Sequence, residues 1–286
     1  MKTSFKKQSA VLITGVVVFL ALLIMPAPEG LSSDGQCMLA VTAIMAIWWI
    51  GEGTSLAVTA LLPLVLFPLL GIMPSKQVAA TYANHLIFLF LGGFMIALAM
   101  EKWNFHKRLA LWIISLMGTD PQRIVLGFMV ATAFLSMWIS NTASTMMMLP
   151  VAMAVVRQIA IDASLNGEKN PDSQKTIENG LGLVLMLGLA YSASIGGVGT
   201  LIGTPPNIVF AGFYKNLFPD NPEISFFQWM MLAVPIVIVF IPLVWVYLCR
   251  FVSPVPLKNI SAGSHEIIQQ ELDDLGSMNH AEKIVA

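Results

Sequence analysis

The stretch SMWISNTASTMMMLP (136–150) sets five hydroxyl or amide side chains, Ser140, Asn141, Thr142, Ser144 and Thr145, inside an apolar run extending over 121–160. In hydrocarbon an unpaired backbone group costs several kcal/mol, so an irregular stretch at membrane depth survives only where it is packed in protein or lines a polar cavity. The pattern predicts a helix of about 18 residues running in from Arg123, a turn near Ser140 and Asn141, and a helix returning toward Arg157. Such a tip leaves free carbonyls on the incoming arm and free N–H groups on the outgoing one. Carbonyls and hydroxyls are hard oxygen ligands for an alkali cation. The N-terminal end of the outgoing helix suits a carboxylate or phosphate. Asn141 can supply a carbonyl oxygen to the cation and an amide N–H to the anion.

The rest of the chain supports a membrane setting. Hydrophobic residues make up 57% and charged residues 11% of 286; mean hydropathy is +0.78. Soluble domains carry about 25% charged residues. With a net charge of -1 and a pI near 6.4 there is no broad basic surface, so nucleic acid is not an expected partner. Cys37 and Cys249 lie near opposite ends of different apolar segments and suggest packing rather than a disulfide or metal site. The basic start followed by an apolar run near 9–27 reads as a retained first span, since the run is long for a signal peptide and no small-residue cleavage site follows.

Apolar runs able to cross about 30 Å of hydrocarbon fall near 9–27, 36–51, 54–73, 84–101 and 226–250, with 121–160 and 180–216 interrupted. If the N-terminus is cytoplasmic and 121–160 is a re-entrant hairpin, thirteen of the fifteen lysines and arginines lie inside, Lys76 and Lys215 being the exceptions. A single crossing at 121–160 would strand Arg157, Lys169, Lys175 and Arg250 outside. Residues 102–119, with Trp103 and Trp112, suit either a helix along the cytoplasmic interface or a buried connecting helix. Residues 162–179 read as a cytoplasmic loop, and the polar segment 253–286 as a cytoplasmic tail containing a short amphipathic helix.

The second interruption, SIGGVGTLIGTPPN (194–207), repeats the chemistry of the first. Gly196, Gly197, Gly199 and Gly203 permit unwound backbone, Pro205 and Pro206 fit the first turn of a restarting helix, and Thr204 is placed to cap it. Either segment alone is compatible with helix packing, Gly199 and Gly203 forming a GxxxG. Two discontinuous helices in one chain point instead to a transport site. Dinucleotide, phosphate-loop, zinc-protease and serine-hydrolase motifs are absent, and no nucleophile and base pair occupies the apolar segments, so an enzyme is not expected. His85 and His106 read as interfacial, Glu52 as a solvated turn residue and Met146, Met147 and Met148 as adaptable packing.

Three features together resemble the divalent anion:sodium symporters, a family that carries dicarboxylates and citrate: SNT (140–142) in the hairpin, GGVGTLIGTPPN (196–207) and LAVTALLPLVLFPLLGI (56–72). The resemblance covers nearly the whole chain. It implies an all-α polytopic membrane protein of about six transmembrane helices, one cytoplasmic re-entrant hairpin and a discontinuous helix, forming the first of two inverted repeats. It implies a sodium site lined by Ser136, Ser140, Asn141 and the Gly199 backbone, and substrate contacts from Ser140, Asn141, Thr142 and Thr200. Sodium would be the coupling ion, with no other cofactor, and the complete protein would be a homodimer in the cytoplasmic membrane. A cation ordering a site that lacks a fixed positive charge gives a physical reason to couple sodium to an anion.

Ser-Asn-Thr occurs once here, whereas the family pattern has a second hairpin and a second unwound helix. The expectation is therefore a membrane transport domain over 1–252 and a linker over 253–286 leading toward a missing second repeat. The chain would be the incomplete N-terminal part of a di- or tricarboxylate transporter. The alternative is a half-transporter or scaffold subunit that needs a partner membrane protein. A homodimer of opposed halves is disfavoured because the charge bias fixes one orientation.

Overall fold

The computed structural model describes residues 2–28, 30–118, 120–165, 171–252 and 263–285. Every regular element among them is a helix, and the chain divides into two compact units, Met1–Ile87 and Phe88–Ala286. The protein is an all-α polytopic membrane protein.

In the first unit, α1 (Lys2–Ile24) and α2 (Ser33–Ile50) form an antiparallel pair. Trp48 Nε1 donates to the Leu12 carbonyl (3.3 Å), Gln36 Nε2 donates to the Leu22 carbonyl (2.7 Å), and Ser32 caps α2 through the Gly35 amide (3.1 Å). Glu52 makes the following turn at φ 52°. The segment 54–73 then departs from the expected single span: α3 (Leu56–Ala60) and α4 (Leu62–Leu69) break at Leu61. Pro63 has no N–H to continue the ladder. The Tyr82 hydroxyl, at the end of α5 (Ser75–Tyr82), donates to the Ala60 carbonyl at that break (2.6 Å). Leu56–Leu69 is a short apolar helix, about 21 Å at 1.5 Å per residue and less than a bilayer core.

The second unit starts within α6 (His85–Lys102) and turns at Asn104, φ 57°, into α7 (Phe105–Leu116). α7 buries Ala110, Leu111 and Ile114 while Trp112 stays 55% exposed. His106 is buried too, with Nδ1 2.8 Å from the Met100 carbonyl oxygen. Next come α8 (Pro121–Ser136), α9 (Asn141–Leu165), α10 (Pro171–Val198), α11 (Pro205–Leu217) and α12 (Phe226–Tyr247), which ends in a π-helical turn, Leu248–Val252. α10 packs against α8, α9 and α12 around Phe128, Met129, Leu135, Met148, Leu185 and Leu189. The tail forms α13 (Gly263–Asp274) and α14 (His280–Val285), with Ile268 buried in the core.

Among the described residues, six helical stretches are long and apolar enough to cross a membrane: Lys7–Ile24, Ser33–Ile50, Ser75–Lys102, Asn141–Ile161, Glu178–Val198 and Phe226–Val252. The number matches the expectation but the membership differs: 54–73 drops out, and one arm of each interrupted segment enters. The polar residues 171–179 are helical rather than loop, because Pro171 suits the first helical turn and a helix can run on past its apolar section. The remainder of the expected tail, 253–262, and the centre of the expected loop, 166–170, lie outside the described residues.

Candidate functional site

α8 stops at Ser136, and 137–140 form a tight turn in which the Trp138 and Ile139 amides both bond to the Leu135 carbonyl (2.9 Å each). α9 restarts at Asn141, capped by Ser140, whose Oγ accepts from the Ala143 amide (3.2 Å) and whose carbonyl accepts from the Ser144 amide (3.0 Å). The main-chain N–H groups of Asn141 and Thr142 have no acceptor among the described residues, as expected for the first turn of a helix.

α10 breaks at the same level of the unit. Residues 199–204 leave the helix, and α11 restarts at Pro205 with Thr204 extended at the cap position (φ −151°, ψ 143°), although its side chain makes no capping bond. The glycines here serve close approach. A Cβ on Gly196 would collide with the Ala133 backbone of α8, and one on Gly197 with the Asn141 side chain. Of the GxxxG, a Cβ on Gly203 would collide with the Gly197 carbonyl and one on Gly199 with the Met137 side chain, so the motif folds the loop onto its own helix and seats the hairpin turn.

The two breaks meet at Ser136. Its Oγ, fully buried, lies 2.6 Å from Asn141 Oδ1 and 2.8 Å from the Ala193 carbonyl oxygen of α10. Thr200, also fully buried, donates its hydroxyl to the Met137 carbonyl in the hairpin turn. Gly199 is buried against Met137. Ser140 and Asn141 are half-buried, and Thr142 is exposed, its hydroxyl without a bond to a described residue.

Ser136, Asn141, Gly199 and Thr200 therefore come together across the two breaks, Ser140 caps the tip, and Thr142 stands on its outer side. The Thr200 hydroxyl is occupied by a structural bond. Three contributors were not singled out from the sequence: the Ala193 carbonyl, Asn207 and Trp229. Asn207, 5% exposed, donates Nδ2 to the carbonyls of Gly197 (2.8 Å) and Thr200 (2.7 Å). Trp229 Nε1 donates to the Val198 carbonyl (2.8 Å). Asn207 closes the quoted TPPN motif, and that was its available signal. No sequence rule links Trp229 to a carbonyl 31 residues away. Ser144 Oγ is buried one turn beyond Asn141 and has no partner among the described residues.

Residues 6–286 match the family described as the sodium:sulfate symporter transmembrane region. The chain belongs to that family. As a sodium:sulfate symporter family member it is 43% identical over 274 residues to the sodium-dependent dicarboxylate transporter SdcS of Staphylococcus saprophyticus, a match covering 96% of this chain and 51% of that protein. The proteins of the same name from Staphylococcus aureus strains bovine RF122 and N315 are 44% identical over 274 residues, with the same coverage. The chain thus spans about half the length of the curated relatives it matches. The resemblance read from the two interrupted segments and from 56–72 is a true family relationship, and the family is one of symporters.

Proposed function

We propose that this chain supplies one half of a sodium-coupled carboxylate transport site, with the hairpin tip and the unwound 199–204 loop as its working surfaces. One observation carries the reading: Ser136 Oγ, Asn141 Oδ1 and the Ala193 carbonyl oxygen converge where two helices are broken, and one hydroxyl proton cannot serve two acceptors at once. A sodium ion satisfies such a cluster of oxygens. The Asn141 and Thr142 amides and the Thr142 hydroxyl, beside it, suit a carboxylate. The relatives' name, sodium-dependent dicarboxylate transporter, agrees with this chemistry.

On this reading the substrate is a di- or tricarboxylate of the succinate, malate or citrate type, moved across the cytoplasmic membrane. The hairpin 121–160 enters from the cytoplasm, the N-terminus and tail are cytoplasmic, and the chain is the first of two inverted repeats. The complete transporter is a homodimer. The second half of the site comes from a second repeat or, alternatively, from a partner membrane protein.

The test joins this chain to the half of the Staphylococcus saprophyticus transporter that it does not match, and measures radiolabelled succinate uptake into membrane vesicles under an inward sodium gradient. Uptake should require sodium, and Asn141→Ala should abolish it while the fusion remains in the membrane. Wild-type uptake by Asn141→Ala would remove the hairpin tip from the site. Coexpressing the two halves as separate chains distinguishes the alternatives: restored uptake favours a self-standing half, and loss favours a covalent repeat.

A further inference from the structure

Where α10 ends, its last carbonyls lose their intrahelical donors and need others. The loop provides for nearly all of them. The Gly196 carbonyl receives the Gly199 amide (2.8 Å). The Gly197 carbonyl receives Asn207 Nδ2 (2.8 Å), and the Val198 carbonyl receives Trp229 Nε1 (2.8 Å). The Thr200 carbonyl receives Asn207 Nδ2 (2.7 Å) together with the Gly203 amide (3.3 Å). Between them the Gly199 carbonyl has no donor among the described residues. Of five successive carbonyls, only this one keeps both lone pairs free of a described donor.

The two side chains that produce this arrangement come from different helices. Asn207 lies in the first turn of α11, and its amide has two protons, one for each of two carbonyls. Trp229 lies in the first turn of α12, where its ring packs edge-on to Phe210 of α11 (centroids 5.8 Å apart). Phe226, beside it, meets Trp138 of the hairpin turn (6.3 Å). Neither residue needs to touch a transported ion to decide which oxygens the ion can find.

We propose that Asn207 and Trp229 are positioning residues that set cation specificity by occupying the carbonyls of Gly197, Val198 and Thr200 and leaving that of Gly199 open. This rests on the sodium reading above. With its neighbours held, the loop offers one carbonyl at a fixed place, so the ion must suit that spacing. With either donor removed, competing carbonyls can turn inward and the loop accommodates ions of other radii.

The experiment titrates the thermal unfolding midpoint of the purified 286-residue chain in detergent with NaCl, LiCl and KCl, holding ionic strength constant with choline chloride. A ligand that binds only the folded state raises the midpoint as the logarithm of one plus its concentration over its dissociation constant. Wild type should be stabilised by sodium in preference to lithium and potassium. Asn207→Leu is close in size, carries no charge and loses both donated protons; Trp229→Phe keeps an aromatic ring and loses one. Trp229→Phe should raise the sodium concentration that gives a set shift roughly tenfold, the worth of one hydrogen bond, the Asn207 variant should raise it at least as much, and both should narrow the sodium-to-lithium difference. In the fusion transporter the same variants should shift the sodium half-saturation of uptake more than the succinate half-saturation at saturating sodium.

If wild type gains nothing from sodium, the underlying reading fails. If wild type responds and a folded variant keeps both the sodium midpoint and the ion order, the positioning role is overturned while the site stands. Should Asn207→Leu not fold, Trp229→Phe decides the question.

Discussion

Ser136 Oγ and Asn141 Oδ1 lie 2.6 Å apart, across the turn that separates α8 from α9, with the Ala193 carbonyl 2.8 Å from the same hydroxyl. Turning the Asn141 amide over would let its nitrogen donate to Ser136 and free the serine proton for Ala193; the orientation seen keeps three oxygens together. Replacing Asn141 by Asp separates the two duties assigned to this side chain. The aspartate keeps the oxygen, adds a negative charge and loses the N–H. Sodium should stabilise Asn141→Asp at lower concentration than wild type, whereas succinate uptake by the fusion transporter should fall to background. A variant that weakens both responses together would contradict a shared cation and anion site at this residue.

Gly196 and Gly197 are adjacent but should fail differently when changed to alanine. The new Cβ at 196 meets the Ala133 backbone, which cannot move without separating α8 from α10; at 197 it meets the end of the Asn141 side chain, which can. Overpacking against a fixed neighbour costs about 1–3 kcal/mol. Gly196→Ala should therefore lower the unfolding midpoint of the purified chain by several degrees. Gly197→Ala should keep its midpoint in choline and lose the sodium-dependent increase. Equal midpoints for the two in choline would show that the α8–α10 approach is looser than the geometry indicates.

A cysteine at Lys169 tests the orientation. Thirteen of fifteen basic residues fall on one side only if the broken helix pair in 54–73 still carries the chain across and 121–160 returns to the side from which it entered. In right-side-out vesicles, a Lys169→Cys protein should be protected from an impermeant maleimide and should react once the vesicles are permeabilised. Reaction in sealed vesicles would make 121–160 a full crossing.

What the sequence disclosed was mainly local. Polar residues inside an apolar run locate the break at 137–140, and four glycines followed by Pro-Pro locate 199–204, because a helix in hydrocarbon must have a specific reason to stop. Hydropathy failed where length and continuity part company. It joined 54–73 into one span although Pro63 and Pro68 were visible, and it ended the helix containing 180 at the apolar boundary although the backbone continues back to Pro171. The site's supports were hidden for another reason. Asn207 reaches carbonyls seven and ten residues away and Trp229 one 31 residues away, and such pairings arise only when α10, α11 and α12 fold together.

The tail offers a final test, since the segment read as a linker with a short amphipathic helix is docked. Arg108 of α7 donates to the carbonyls of Gly276 (2.9 Å) and Leu275 (3.1 Å) and lies 3.4 Å from both oxygens of Glu282, a carboxylate in a residue only 3% exposed. Glu282 and Asn279 also cap each other at the start of α14, the Glu282 amide donating to Asn279 Oδ1 (2.8 Å) and the Asn279 amide to Glu282 Oε2 (2.9 Å). Lys107 pairs with Glu271 of α13 (2.6 Å), and Ile268, Leu272 and Leu275 join the core cluster. Arg108→Ala leaves Glu282 without its cation. Removing one partner of a buried pair costs about 3–5 kcal/mol, and α14 can escape that cost by moving into water. Limited proteolysis of Arg108→Ala in detergent should therefore cut within 263–285 while the membrane helices stay intact. Replacing both partners, as Arg108→Leu with Glu282→Leu, should restore resistance, because an apolar pair can substitute for a buried ion pair at little net cost. Wild-type resistance in Arg108→Ala would mean that Ile268, Leu272 and Leu275 hold the tail without the arginine.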